Sequence, residues 1–309
     1  MTHEIDRRGF LRCMAWAGTG AVWTVSGGLL SGCSLGAPAA NKPAAPRTSD
    51  LSFVQISDSH IGFKGAANQD VTGTFGLAID QINALGARPA FVMHTGDLTH
   101  TSTPEQFDTV KQMLGTIHAG GVFQVPGEHD AATGDDRAYL GVFGKGAVGN
   151  GYFSFEQHGV HFLALVNAVG TLGMGHLGKD QLDWIQKDLA GLSSDTPIVV
   201  FAHIPLYAMY PTWGWSTDDA VQALSMMKRF GAVTALNGHV HQVMSKVEGN
   251  VTFHTATSTA YPQPKPGEAA NPGPVTVPAP QLHQVLGVTE VRYAAKKSQV
   301  AVIDTPLRP

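Results

Sequence analysis

Charge is scarce in this chain. Only 14% of its 309 residues are Asp, Glu, Lys or Arg, and the formal net charge is −4. No basic stripe is visible, so the usual electrostatic footing for a nucleic-acid partner is missing and none is expected. Cysteine is nearly absent: two residues, Cys13 and Cys33, are too few for a disulfide-built scaffold. No internal repeat stands out. Disorder is excluded by what is present, since 43% hydrophobic residues with 36 Gly and 18 Pro describe a packed globular chain with many turns. The length accommodates one large domain or two small ones.

Residues 1–33 are set apart from the fold as a signal segment. Arg7 and Arg8 precede a moderately apolar run rich in Gly, Ser and Thr, and the segment closes on "LSGC" at 30–33. The arginine pair resembles a twin-arginine export signal, and "LSGC" resembles a bacterial lipobox whose cysteine becomes the lipidated N-terminus. An uncleaved membrane anchor and a plain soluble signal are the alternatives. The expectation is an exported periplasmic or cell-surface lipoprotein, held at a membrane through Cys33 without spanning it. Residues 34–49, rich in Pro and Ala, read as a flexible tether. Cleavage would remove Cys13 and the lipid would occupy Cys33, so the domain at 50–309 must be stable without a disulfide.

From residue 51 the chain alternates short apolar runs with helical patterns, which indicates a layered α/β domain. "LSFVQISDSH" is a strand running into Asp58 and His60, and "RPAFVMHTGDLTH" is a second ending at Asp97. "GVFQV" is a third, followed by Glu128, His129 and Asp130. "TPIVVFAHIPL" ends at His203, and "AVTALNGHVH" ends in His239 and His241. Between them, "TPEQFDTVKQMLGTIHAGG" is a helix with Thr103 as N-cap, Pro104 at the first position and Gln106 placed for a capping box. "YFSFEQHGVHFLALV" is a hairpin turning near Gly159, and "NVTFHTATST" reads as the final core strand.

Five strands that each end in His, Asp or Glu point to one site beyond the carboxyl edges of a sheet. Imidazole and carboxylate without thiolate suit Zn, Mn, Fe or Ni. The alternating "HVH" predicts His239 and His241 on one side, each reaching a different ion. Gly96 and Gly238 mark places where backbone approaches the site closely.

In order, "DSH", "GD", "GEHD", "H" and "GHVH" resemble the calcineurin-like metallophosphoesterase superfamily, nearest its cyclic-nucleotide and glycerophosphodiester phosphodiesterase branch. That resemblance implies a two-sheet sandwich flanked by helices and a centre of two metal ions (Fe, Mn or Zn). It implies hydrolysis of a small phosphomonoester or phosphodiester by metal-bound hydroxide. Carried over residue by residue, Asp58, His60 and His241 hold the first ion, Asp97 bridges, and Glu128, His203 and His239 hold the second. His129 contacts the phosphoryl oxygen or leaving group, and Asp130 orients the His129 ring.

One position departs from the family pattern: Glu128 stands where Asn is usual. An anion there leaves two divalent ions, three carboxylates and a hydroxide with no net charge, one unit below the usual set, which weakens polarisation of water and phosphate. A metal-holding or sensing lipoprotein with weak hydrolysis, or a dinuclear enzyme acting on a non-phosphate substrate, are therefore the alternatives. The aromatic loop carrying Tyr207, Tyr210, Trp213 and Trp215 either stacks on a flat substrate group or packs on itself. The Pro-rich excursion at 261–280 is either a surface arm or a lid. His94 and His100 flank Asp97 and are expected to line the pocket.

Overall fold

The computed structural model describes residues 21–23, 50–132, 136–168, 170, 173–294 and 299–308. Arg7, Arg8, Cys33 and the tether at 34–49 lie outside the described residues. Twelve strands among them form two six-stranded sheets. The first has the order β1 (Ala21–Trp23), β12 (Gln299–Pro306), β11 (Gly287–Ala294), β2 (Leu51–Ile56), β3 (Val92–His94) and β4 (Val122–Gln124). The second runs β5 (Phe153–Gln157), β6 (Val160–Ala164), β7 (Ile198–Ala202), β8 (Val233–Asn237), β10 (Val251–Thr255) and β9 (Met244–Glu248). In each sheet a parallel core, β2-β3-β4 or β6-β7-β8-β10, is flanked by antiparallel strands.

The inner faces meet in an aromatic layer. Phe53 and Phe91 from one side stack at 4.6 Å, and Phe162 and Phe201 from the other meet Phe53 edge-on at 5.7 Å each. Parallel strands buried on both faces need apolar cover outside as well. Helices α1 (Val71–Asn83) and α2 (Pro104–Leu114) cover the first sheet, with Phe75, Ile79, Phe107 and Val110 against Val54 and Val92. Helices α4 (Lys179–Leu189) and α5 (Ala220–Met227) cover the second with Leu182, Ile185 and Met227. The architecture is thus a helix-flanked two-sheet α/β sandwich, as the motif order implied. Two shorter helices, α3 (Arg137–Phe143) and α6 (Ala279–Val285), complete the regular elements. No helix among the described residues is long and apolar enough to cross a membrane.

Local details follow the sequence closely. Thr103 caps α2 through its hydroxyl, which accepts from Gln106 N. The capping box does not close, because the Gln106 side chain accepts instead from the His100 and Thr101 N–H groups. The hairpin turns at His158 and Gly159, both at positive φ (52° and 75°), as a tight two-residue turn demands. The segment "NVTFHTATST" is not the last strand. After it, β11 and β12 pair antiparallel, and β11 joins the first sheet beside β2. Glu290 and Arg292 interrupt the apolar run of β11 and pair with each other at its surface. That mixed pattern hid the strand.

A candidate dinuclear metal centre

The site is assembled from five strand ends, three from one sheet and two from the other. Asp58 and His60 follow β2, Asp97 follows β3, Glu128 follows β4, His203 follows β7, and His239 and His241 follow β8. Five of these seven residues have left-handed backbones: Asp58 (φ 54°), His60 (41°), Asp97 (53°), His239 (70°) and His241 (57°). Such conformations cost on the order of 1–3 kcal/mol each in non-glycine residues and persist where surrounding structure enforces them. His239 and His241 therefore lie beyond the last β8 residue, and their placement comes from this turn and not from strand alternation. The close approaches at glycine are real. A Cβ on Gly96 would lie 2.4 Å from His203 Nδ1, and one on Gly238 would lie 2.0 Å from Ser57 Oγ and 2.7 Å from Asp58 Oδ2.

Two groups of nitrogen and oxygen atoms result, each tight enough to hold one ion: Asp58–His60–His241, fully buried, and Glu128–His203–His239. Asp97 lies between them. Its Oδ2 is 3.5 Å from His60 Nε2 and 3.3 Å from His203 Nε2, while its Oδ1 accepts from the His129 backbone N–H at 2.9 Å. In the second group Glu128 spans two imidazoles, with Oε2 2.9 Å from His203 Nε2 and Oε1 2.8 Å from His239 Nδ1.

The tautomers test whether these residues suit a metal. His203 Nδ1 donates to the Thr95 carbonyl at 2.7 Å, and His241 Nδ1 donates to the Tyr261 carbonyl at 2.6 Å. A carbonyl only accepts, so in each neutral ring Nε2 carries a lone pair. That lone pair faces carboxylate oxygens in both cases. His203 Nε2, both ring nitrogens of His239 and Glu128 Oε2 are buried without a hydrogen bond of proper geometry. Lone pairs converging on lone pairs call for a cation between them, and the donor set fits one.

The electrostatics mark a place that favours positive charge, a proton on His203 or a metal ion in its stead: burial would lower the His203 pKa, but Asp97 and Glu128 raise it well above the ordinary imidazole value. Burial would raise Asp58, but His241 and His203 bring it down to about 2. Glu128 is likewise held well below the carboxylate range by His239 and His203 against its desolvation.

Asp130 does not hold the His129 ring, contrary to the role the resemblance implied. Its carboxylate accepts from Leu98 N (3.0 Å), Thr99 N (2.8 Å), Thr99 Oγ1 (2.9 Å) and Gly127 N (2.9 Å). Burial and the nearby Asp97 push it up to about 6, but four donors favour the anion, which prevails at neutral pH. Asp130 thus ties the loop after Asp97 to the turn carrying Glu128. The His129 ring is held by the His100 carbonyl, which accepts from Nδ1 at 2.8 Å.

Two residues join the site that motif reading did not assign to it as partners of the ligands. The Tyr261 ring stacks on His60 at 4.8 Å and packs on His241 at 4.7 Å. The His100 ring stacks on His129 at 4.8 Å. His100 stands three residues after Asp97, a signal available from sequence; Tyr261 had none. His94, by contrast, turns toward the helix layer, 2.9 Å from Ser59 Oγ and edge-on to Phe75.

Trp213 and Trp215 are buried against Val240, with Tyr210 edge-on to Trp213, so that part of the aromatic loop packs on itself. The Pro-rich excursion begins at the centre: Gln263 donates to the His239 carbonyl and Gln242 donates to the Pro264 carbonyl. Residues 268–272 are exposed.

The chain is 24% identical over 218 residues to a 3′,5′-cyclic-nucleotide phosphodiesterase of Nostoc, covering 68% of this chain and 79% of that one. It is 23% identical over 264 residues to a glycerophosphodiester phosphodiesterase of Enterobacter lignolyticus, covering 78% and 89%. Among solved structures, a dimetal phosphatase from Danio rerio shares the fold at a TM-score of 0.57 and 13% identity, covering 84% of this chain and 99% of that one. A purple acid phosphatase from yellow lupin seeds aligns at a TM-score of 0.58 and 14% identity, covering 85% and 52%. The sequence pattern of calcineurin-like phosphoesterases matches residues 51–243, more than half of the chain, and this protein accordingly belongs to the calcineurin-like phosphoesterase family.

Proposed function

We propose that this phosphoesterase is a dinuclear phosphodiesterase acting on a small phosphodiester. The observation that carries the reading is the meeting of two ligand groups at one carboxylate, Asp97. The names of the similar Nostoc and Enterobacter proteins support the phosphodiester class. Asp58, His60 and His241 would hold one ion, Glu128, His203 and His239 the other, with Asp97 placed between the two groups. The nitrogen and oxygen donors suit Fe, Mn or Zn. When bound, two such ions supply Lewis acidity and lower the pKa of water. The chain's own part is to position and to move a proton. His129 Nδ1 donates to the His100 carbonyl, which leaves Nε2 to meet the substrate. Against burial, which lowers the pKa of the ring, Asp97 and Glu128 raise it, and the imidazolium they favour would give its Nε2 proton to the leaving oxygen.

A second reading has its own observation. Glu128 reaches two imidazoles within 2.9 Å, and its charge replaces a neutral amide. Such a ligand retains an ion tightly and leaves it less electrophilic, as a metal-holding protein with weak hydrolysis would require. For residues 1–33 the twin-arginine and lipobox resemblances are the support for reading an exported lipoprotein anchored through Cys33.

The deciding experiment is elemental analysis of the purified full chain together with turnover of phosphomonoesters and phosphodiesters in Mn²⁺, Zn²⁺ and Fe. Two ions per chain with a preference for diesters is the expected result. Two ions with negligible turnover on every ester would favour the metal-holding reading, and the absence of bound metal would defeat both.

A further inference from the structure

Strand β10 also ends at the centre, although it delivers no ligand. Beyond Thr255 the chain turns through Ser258, Thr259, Ala260 and Tyr261, all buried. The Ser258 hydroxyl donates to the Asp58 carbonyl at 2.8 Å. It accepts from the Ala260 and Tyr261 N–H groups at 2.8 and 3.2 Å. A hydroxyl has one proton and two lone pairs, so its capacity is fully used. Both ends of this clasp lead to the first ligand group, Asp58, His60 and His241. At one end stands the Asp58 backbone, in the left-handed region at φ 54°. At the other stands Tyr261, whose carbonyl accepts from His241 Nδ1 at 2.6 Å and whose ring stacks on His60 at 4.8 Å. The second group is set from elsewhere, since His203 Nδ1 donates to the Thr95 carbonyl. It meets this segment further along, where Gln263 donates to the His239 carbonyl and not to its ring.

We propose that Ser258 is a positioning residue for the first ligand group: its hydroxyl locks the turn after β10 onto the Asp58 backbone, and so holds the Tyr261 carbonyl and ring against His241 and His60. Its consequence for an ion rests on the dinuclear reading above; its consequence for the turn does not. The turn is anchored on both sides of the hydroxyl. Thr259 N–H donates to the Ser57 carbonyl at 3.1 Å, and the Ser258 carbonyl accepts from Gly287 N–H at 3.3 Å, at the start of β11. Loss of the hydroxyl would leave two buried N–H groups without their acceptor. Tyr261 would then be free to shift, and with it the carbonyl that directs the His241 ring. Partners that orient ligand imidazoles in this way typically change metal affinity by about 10- to 100-fold.

Single-group backgrounds of the full chain test the selectivity. Glu128→Ala keeps the first group intact, and His60→Ala keeps the second. Adding Ser258→Ala to Glu128→Ala should weaken Zn²⁺ binding about 10- to 100-fold in a competition titration. Adding it to His60→Ala should leave Zn²⁺ affinity unchanged. A general loosening of the fold would weaken both, so equal losses in the two backgrounds would overturn the proposal. Unchanged affinity in both would overturn it as well. Amide hydrogen exchange on the metal-free protein reads the turn itself. Ala260 and Tyr261 should be protected in the wild type and lose that protection in Ser258→Ala, while amides of β7 keep theirs. Fast exchange at both positions in the wild type would refute the clasp, even if Ser258→Ala failed to fold. A wild type that bound no Zn²⁺ would defeat the dinuclear reading, and the metal-free exchange would still decide the role of Ser258.

Discussion

Asp97 is the residue on which the centre turns, since its Oδ2 lies within 3.5 Å of an imidazole from each group. Asp97→Ala should therefore cost both ions, and turnover should fall by on the order of a thousandfold or more, comparable to loss of a principal electrostatic group. Elemental analysis alongside kinetics checks this, and retention of one full ion would refute the shared role. Glu128→Asn restores a neutral amide, and the expected outcome is weaker retention of the second ion with equal or higher hydrolysis of aryl phosphoesters in excess Mn²⁺. Unchanged metal content in Glu128→Asn and Glu128→Ala would mean that Glu128 is no ligand. Gly238→Ala acts through space alone, because its Cβ would overlap Ser57 Oγ and crowd Asp58 Oδ2. A stability loss of about 1–3 kcal/mol is expected from such overpacking, with weaker binding of the first ion; a denaturant titration and metal analysis measure the two effects separately.

At the scale of elements, the centre depends on two sheets keeping their register, and polar ties do part of that work. Gln55 on β2 donates to Thr95 Oγ1 and across the sandwich to the Asn237 carbonyl on β8, beneath the ligands. On the outer edge, Asp188 of α4 accepts from Ser154 of β5 at 2.6 Å and lies 2.6 Å from His161 Nε2 of β6, latching the hairpin to the helix. Burial would raise the Asp188 carboxyl, but those hydrogen bonds bring it below its ordinary 3.8. A folded value below the unfolded one stabilises the protein above the unfolded pKa, and that contribution fades as pH falls through the folded value. Asp188→Asn should thus be destabilised by about 1 kcal/mol near neutral pH. The gap from wild type should close progressively below pH about 4. Urea midpoints across pH 3–7 test the trend, and a gap that widened on acidification would contradict it.

For the whole molecule, ions bound between the sheets would couple to folding. An ion held by the native centre and not by the unfolded chain stabilises by about 4 kcal/mol at a thousandfold excess over its Kd. Chelation should therefore lower the Tm, and resupply of Mn²⁺ or Zn²⁺ should restore it; an unchanged Tm after verified metal removal would show that the sheets stand without the centre. Export belongs to this scale too. Replacing Arg7 and Arg8 by Lys is expected to block export, and Cys33→Ser to release a soluble form, both measured by cell fractionation. A Cys33→Ser protein that stayed with the membrane would refute the lipid anchor.

The order of strands and ligands was legible in the sequence because apolar runs and the residues that end them are local features. "LSFVQISDSH" and "AVTALNGHVH" each announce a buried strand and the groups at its mouth, and repetition of that pattern implied a common edge. Local sequence also specified the Thr103 cap and the tight turn at Gly159. What it did not specify was which atom each polar group would meet. Asp130 stands next to His129 in the chain, yet its carboxylate satisfies backbone N–H groups from a loop about 30 residues away. Tyr261 lies 201 residues from His60 and stacks on it. Strands β11 and β12 took their place beside β2 through long-range pairing that their mixed composition did not advertise. Hydrophobic periodicity records whether a side chain is buried; the partner of a buried polar atom is chosen only when distant segments pack, because the cost of leaving it unpaired is paid in the assembled core.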